Sequence, residues 1–275
     1  KSHYNSLIAY EEQKSNNAKN NKRHIYFLLD ISHSMFAWYN ADPLLNNVSF
    51  TRGENKMIDG TIVCVKECDN KYEQILDKAR FLYKCLNNIT NIITYIQKMN
   101  TNHAKTYVTS FTTFAKSINT VMKFEELDIL KKYIETQSIK SYRTYDNENT
   151  HVYDALRTAI NIVNDEGNMG TTTFVLCTDG IDCKSEMSLD QIIDLIKKMK
   201  SVNIIIITID LKSNQINDFQ KIINAAKFGK LIQVDGDISK CGFNNINDAF
   251  TKTKELIISE SYIQQPIDIR EKFNF

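Results

Sequence analysis

His24-Ile25-Tyr26-Phe27-Leu28-Leu29-Asp30-Ile31-Ser32-His33-Ser34 opens on apolar and aromatic residues and ends in D-x-S-x-S. Such a run reads as a buried parallel strand. Open α/β sheets bind their ligands outside the carboxyl ends of the strands. Here that end carries a carboxylate and two hydroxyls on alternate residues, Asp30, Ser32 and Ser34. All three are hard oxygen donors, which suit Mg²⁺, Ca²⁺ or Mn²⁺ rather than Zn²⁺ or Cu²⁺. So short a motif arises by chance in many chains, and its meaning depends on what else reaches the same edge.

Working outward, Met35–Lys71 is too long for an ordinary strand-to-helix loop and reads as an insertion, with turn signals at Asp42-Pro43, Arg52-Gly53 and Asp59-Gly60. Within it, Thr61–Glu67 alternates like a short strand. Tyr72–Met99 repeats apolar residues at helical spacing. Lys105–Phe111 and Ala115–Phe124 read as two strands joined by a short turn, an antiparallel edge pair. Glu125–Thr136 reads as a helix, and Gln137–Asn149 as a polar loop. Thr150 is placed to cap a helix over His151–Glu166. Thereafter strands at Thr171–Thr178, Asn203–Ile209 and Leu231–Val234 alternate with helices at Leu189–Met199, Gln215–Phe228 and Phe250–Ile258. That alternation predicts an α/β fold, Rossmann-like and doubly wound, with a mostly parallel sheet, an antiparallel edge strand and helices on both faces. Residues 1–23 read as a flexible N-terminal arm, 24–262 as one domain with the insertion at 35–71, and 263–275 as a C-terminal tail.

Two further polar clusters fall at the same edge of such a sheet. One is Thr150, at the start of a helix, and the other is Asp179, which ends the apolar strand Val175-Leu176-Cys177-Thr178 and precedes Gly180. A carboxylate at a strand's carboxyl end is reachable by solvent and ill suited to a purely structural task. Two such acids beside three hydroxyls form a plausible cation cage. The plainer alternative is that the acids cap turns while Ser32, Ser34 and Thr150 cap helices.

Taken together, D-x-S-x-S after a first strand, a threonine opening a helix and T-D-G after a later strand resemble the von Willebrand factor A domain with its metal-ion-dependent adhesion site. The resemblance covers roughly residues 24–260 and falls on Asp30, Ser32, Ser34, Thr150 and Asp179. It implies that the three hydroxyls contact a divalent cation, with Mg²⁺ first and Mn²⁺ or Ca²⁺ possible, while the two aspartates act largely through water. Neutral hydroxyls leave the cation's charge poorly compensated, so a partner's acidic side chain can complete its shell. This is the logic of a metal-bridged protein-binding module, adhesive or scaffolding, rather than of an enzyme. A metal-assisted hydrolase, or a scaffold whose metal is only structural, is the alternative. No G-x-G-x-x-G, P-loop or G-x-S-x-G is present.

Four residues near the site are candidates for partner contact: His33, where the family commonly has glycine, Trp38 and Tyr39 in the insertion, and Asp182 beyond Asp179. Bulk properties narrow the partner further. A formal net charge of +1 offers no basic field for nucleic acid, and no apolar run approaches the ~18 residues of a membrane span. Of the six cysteines, Cys64 and Cys68 form C-x₃-C without a second pair at zinc-site spacing. Cysteine usage favours a cytoplasmic over an extracellular setting, although a chain beginning at Lys1 leaves the question of a signal peptide open. Asn88, in one of two glycosylation sequons, falls inside an expected helix. Oligomeric state has no signature here.

Overall fold

The computed structural model describes residues 22–37, 54–58, 61–65, 77–78, 80–99, 107–143, 148–167, 170–199, 201–234 and 246–263. Strand β1 (Arg23–Asp30) lies inside a six-stranded sheet with β4 (Tyr107–Phe114), β5 (Ile118–Glu125), β6 (Thr172–Thr178), β7 (Val202–Ile209) and β8 (Phe228–Val234). The order is β5-β4-β1-β6-β7-β8, and every pairing is parallel except β4 with β5. The doubly wound architecture expected from the alternation is present.

Residue parity in β1 sorts the two cores, because successive strand side chains point to opposite faces. Ile25, Phe27 and Leu29 pack with α1 (Phe81–Met99), α2 (Leu127–Thr136) and α6 (Ile246–Ile263). Tyr26 and Leu28 pack with α3 (Val152–Glu166), α4 (Leu189–Lys198) and α5 (Asn217–Ala225). The strand is therefore apolar throughout because both of its faces are covered. From β1 the chain crosses to β4 on one side and later to β6 on the other, so β1 and β6 meet at a switch point of the kind that opens a crevice.

Several boundaries differ from the sequence reading. The part of Tyr72–Met99 before Asp77, and most of the insertion, lie outside the described residues. Within the insertion, β2 (Glu54–Ile58) pairs antiparallel with β3 (Thr61–Val65), from Glu54↔Val65 to Ile58↔Thr61. The intervening residues are Asp59-Gly60, the dipeptide that favours a two-residue hairpin. The loop over Gln137–Asn149 contains a 3₁₀ turn at Ile139–Tyr142, whose ends are buried against the α1 face.

The helix expected over Gln215–Phe228 is shorter, and Gly229, read as its terminator, instead lies within β8. A Cβ at Gly229 would come 2.0 Å from the Ile223 carbonyl oxygen, so the glycine serves a close approach of strand to helix. In β5, Phe124 has φ 53° beside an irregular stretch of the β4–β5 ladder. Its N–H donates to Ser110 Oγ at 3.0 Å, and its ring packs 4.7 Å from the His24 ring.

Asn88 is buried in α1, where its Nδ2 donates to Lys84 O and Asn247 Oδ1, both at 2.8 Å, leaving no room for a glycan. Cys85 of α1 and Cys177 of β6 are buried with their sulfurs 3.3 Å apart. The Cys85 contact and burial push the Cys177 thiol well up. Since the thiolate is the reactive form, iodoacetamide should label the partly exposed Cys183 well before either buried thiol. Peptide mapping by mass spectrometry reads the order, and equal labelling rates would contradict this packing.

Candidate metal centre

The D-x-S-x-S residues leave β1 in an order set by hydrogen bonds. Asp30 is fully buried and accepts from the Ser32 N–H at 2.7 Å through Oδ1 and from Thr178 Oγ1 at 2.6 Å through Oδ2. Thr178 in turn accepts from the Gly180 N–H at 3.0 Å. One buried carboxylate thus links the end of β1 to the end of β6. His33–Phe36 then forms a single 3₁₀ turn whose buried Met35 and Phe36 anchor the loop, while His33 and Ser34 stay exposed.

Across the crevice, Ser34 Oγ donates to Asp179 Oδ1 at 2.8 Å and Ser32 Oγ approaches the same oxygen at 3.4 Å. The two serine oxygens are 3.1 Å apart. Thr150 is buried beside Gly180, where an added Cβ would stand 2.7 Å from Thr150 Oγ1. The structure thus brings Asp30, Ser32, Ser34, Thr150 and Asp179 to one edge. Among the described residues no group of three or more His, Cys, Asp or Glu side chains could hold an ion. Any cation here would depend on the hydroxyls, and the convergence of two of them on one carboxylate oxygen fits that donor set.

Thr150 does not cap α3 as its place in the sequence suggests. The N-cap position is His151, and neither side chain caps the helix. The exposed N–H groups are met from a distant loop instead: Asp182 Oδ1 accepts from Tyr153 N at 3.0 Å, and Ser185 Oγ accepts from Asp154 N at 3.2 Å. Ser185 Oγ donates to Asp182 Oδ1 at 2.5 Å, and Asp154 accepts from the Glu186 and Met187 N–H groups at 2.8 and 3.1 Å. Asp182, a candidate partner contact, is therefore engaged in holding its own loop to the helix. An acid near a helix N-terminus is favoured by the dipole as well. Of the other candidates, His33 is exposed at the rim, and Trp38 and Tyr39 lie outside the described residues. Thr178 and Gly180, which flank Asp179 in the T-D-G motif, gain their roles only in the fold, Thr178 by holding Asp30 and Gly180 by its close approach to Thr150.

Electrostatics set the two acids apart from ordinary surface carboxylates. Burial pushes Asp30 up to about 6, against the pull of Thr178 and Ser32. Burial, and then the Asp30 charge, push Asp179 up to about 8. Both values lie above the ordinary 3.8 of an unfolded aspartate. Their contribution to stability is therefore complete below about pH 4 and is lost as pH climbs through 6 and 8. His24, buried between Ser110 and Thr172, is pushed down to about 3, so its contribution is complete above its ordinary 6.5 and is lost on acidification. In EDTA, the two aspartates outweigh His24 above about pH 4, so the melting temperature should be highest near pH 4 and decline towards pH 8. A melting temperature that rises from pH 6 to pH 8 would refute the account of the two aspartates.

The sheet order, its single antiparallel edge and the constellation at the β1–β6 crevice all point to one family. The sequence model of the von Willebrand factor type A domain matches residues 80–240. The chain belongs to the von Willebrand factor type A domain family. The matched span of this A domain includes Thr150 and Asp179 but begins beyond Asp30, Ser32 and Ser34, which the insertion separates from it in sequence.

Three solved structures resemble this A domain in fold. The conserved hypothetical protein BatB of Bacteroides thetaiotaomicron aligns with a TM-score of 0.52 and 14% identity, over 87% of this chain and 98% of that one. An aerotolerance-related membrane protein of Bacteroides fragilis aligns with a TM-score of 0.52 and 13% identity, over 86% of this chain and 100% of that one. The A domain of SpRpn10 aligns with a TM-score of 0.50 and 13% identity, over 84% of this chain and 94% of that one. No curated protein matches the chain at a significant level. Domains of this family generally act as interaction or scaffold modules. Among the described residues no helix is long and apolar enough to cross a membrane.

Proposed function

We propose that this A domain is a divalent-cation-dependent protein-binding module that recognises an acidic group of its partner. The observation that carries the reading is the convergence of Ser32 Oγ and Ser34 Oγ on Asp179 Oδ1, with Thr150 Oγ1 at the same edge. In this reading Ser32, Ser34 and Thr150 hold the ion, while Asp30 and Asp179 orient the hydroxyls and balance charge from behind. The ion is Mg²⁺, with Mn²⁺ or Ca²⁺ as substitutes, since every donor is oxygen. When bound it would supply an electrophilic point for a partner's carboxylate. The proposed organisation is an arm over 1–23, the A domain over 24–262 with its insertion at 35–71, and a tail over 263–275.

Binding is preferred to catalysis because the serine hydroxyls are hydrogen-bonded to each other and to Asp179, and none of these contacts involves a histidine base. Calorimetric titration with MgCl₂, MnCl₂ and CaCl₂ tests the ion. Saturable binding that strengthens from pH 6 to pH 8 is expected, because the ionised aspartates are the competent form. Failure of all three ions to bind would overturn the proposal. Partners captured on the immobilised domain in Mg²⁺ should be released by EDTA.

A further inference from the structure

Residues 38–80 separate the serine loop from α1 in sequence, yet the chain on either side of them meets. The Phe81 N–H that opens α1 donates to the Ala37 carbonyl at 3.1 Å. The turn that precedes Ala37, His33–Phe36, is held from within by two backbone bonds, Met35 N to Ser32 O at 3.0 Å and Ala37 N to Ser34 O at 2.9 Å. A single 3₁₀ turn has poor hydrogen-bond geometry and keeps its shape weakly when alone. Support from outside the turn therefore decides where the Ser34 hydroxyl stands.

Arg80 supplies that support. Its guanidinium spans two partners: Nη1 donates to the carbonyl oxygen of Phe36, the last residue of the turn, and Nε donates to Asp77 Oδ1 at 2.6 Å. The Arg80 and Asp77 side chains are 12% and 17% exposed, so the pair is largely shielded from water. A charge-assisted bond from a guanidinium is stronger than a neutral one, and the planar fork lets one carboxylate fix how the other nitrogen is presented. A second cation, Arg143, lies 5.1 Å over the Phe36 ring, and Phe36 is itself buried in the core on the α1 side of the sheet.

We propose that Arg80 is a positioning residue for the cation site, acting through the Phe36 carbonyl on the turn that presents Ser34. The path is short. Arg80 holds Phe36 O, Ala37 N closes the turn on Ser34 O, and Ser34 Oγ donates to Asp179 Oδ1 at 2.8 Å. With that hold released, the Phe36 ring keeps its place in the core, but its carbonyl loses a charged donor. The turn then frays, and Ser34 spends less time against Asp179. The effect on the ion rests on the cation-bridged reading of the crevice; the effect on the turn does not.

Arg80→Met keeps the length of the side chain and removes its donors, whereas Arg80→Lys keeps the charge without the fork. Amide hydrogen exchange of the full chain in EDTA, resolved by NMR, reads the turn directly. Arg80→Met should speed exchange at Met35 and Ala37 by about tenfold or more, while Phe27 and Leu29 within β1 keep the parent's rates. Calorimetric titration with MgCl₂ should show affinity lowered by about tenfold or more, and partly restored in Arg80→Lys. Asp77→Asn leaves Arg80 in place but loosens its orientation, so both readouts should move the same way by a smaller factor, which decides the matter if Arg80→Met does not fold. Unchanged exchange at the turn, or exchange that quickens equally through β1, would overturn the inference. So would unchanged Mg²⁺ affinity in a variant whose turn has loosened. A parent chain that binds no Mg²⁺ would overturn the cation reading instead, and exchange at Met35 and Ala37 would then decide the role of Arg80.

Discussion

Asp30→Ala is expected to lower Mg²⁺ affinity by at least 10- to 100-fold, the loss typical of removing a group that orients metal ligands from behind. Asp30 is fully buried, and its two oxygens hold the Ser32 N–H and the Thr178 hydroxyl. Removing it frees the serine loop from the end of β6 and withdraws one of two negative charges from behind the hydroxyls. The fold should survive, because Asp30 is itself costly to ionise in its buried position: its carboxyl is pushed up to about 6. Calorimetry with MgCl₂ and a thermal melt on the same sample separate the two effects. Unchanged affinity in a folded variant would remove Asp30 from the site.

Gly180→Ala probes the opposite wall. A methyl group there would stand 2.7 Å from Thr150 Oγ1 and must turn that hydroxyl away. Because the obstacle is the tip of a side chain, affinity should fall while stability changes little.

Gly229→Ala is expected to destabilise the fold strongly, costing about 3 kcal/mol. The new Cβ would lie 2.0 Å from the Ile223 carbonyl oxygen and 2.6 Å from its carbon, both backbone atoms at the end of α5. No rotamer relieves such a contact, so α5 must shift off β8 and open the core around Phe219, Ile222 and Ile223. At this chain length the melting temperature should drop by roughly 6–12 °C. A melt within two degrees of the parent, read by circular dichroism, would show that the helix and strand yield easily.

Much of this molecule is legible in its sequence because the relevant physics is local. The unbroken apolar run of β1 declares a strand covered on both faces, and the alternation of strands with 3.6-periodic helices declares a parallel sheet. Asp30, Ser32 and Ser34 declare themselves by lying just past that run. Asp59-Gly60 reads as a turn and Thr61–Glu67 as a short strand, while the pairing of that strand with Glu54–Ile58 is visible only in the fold.

Tertiary structure decided what depends on groups far apart in the chain. Thr150 looks like a helix cap because its neighbours in sequence say so, yet the donors of α3 are met by Asp182 and Ser185 from a loop about thirty residues away. Gly229 looks like a helix terminator, yet it is a point of contact between strand and helix. The carboxylate of Asp30 reaches Thr178 across 148 positions, and Ser34 reaches Asp179 across 145. Periodicity records which face of an element is buried; it carries no record of which distant hydroxyl or carbonyl will stand opposite. The sequence by itself determined the strand-end oxygens and the sheet that presents them. Only the folded chain set the crevice and brought buried Asp30 and half-buried Asp179 together in it, because hydrogen bonds and close approaches form between elements that local pattern cannot pair.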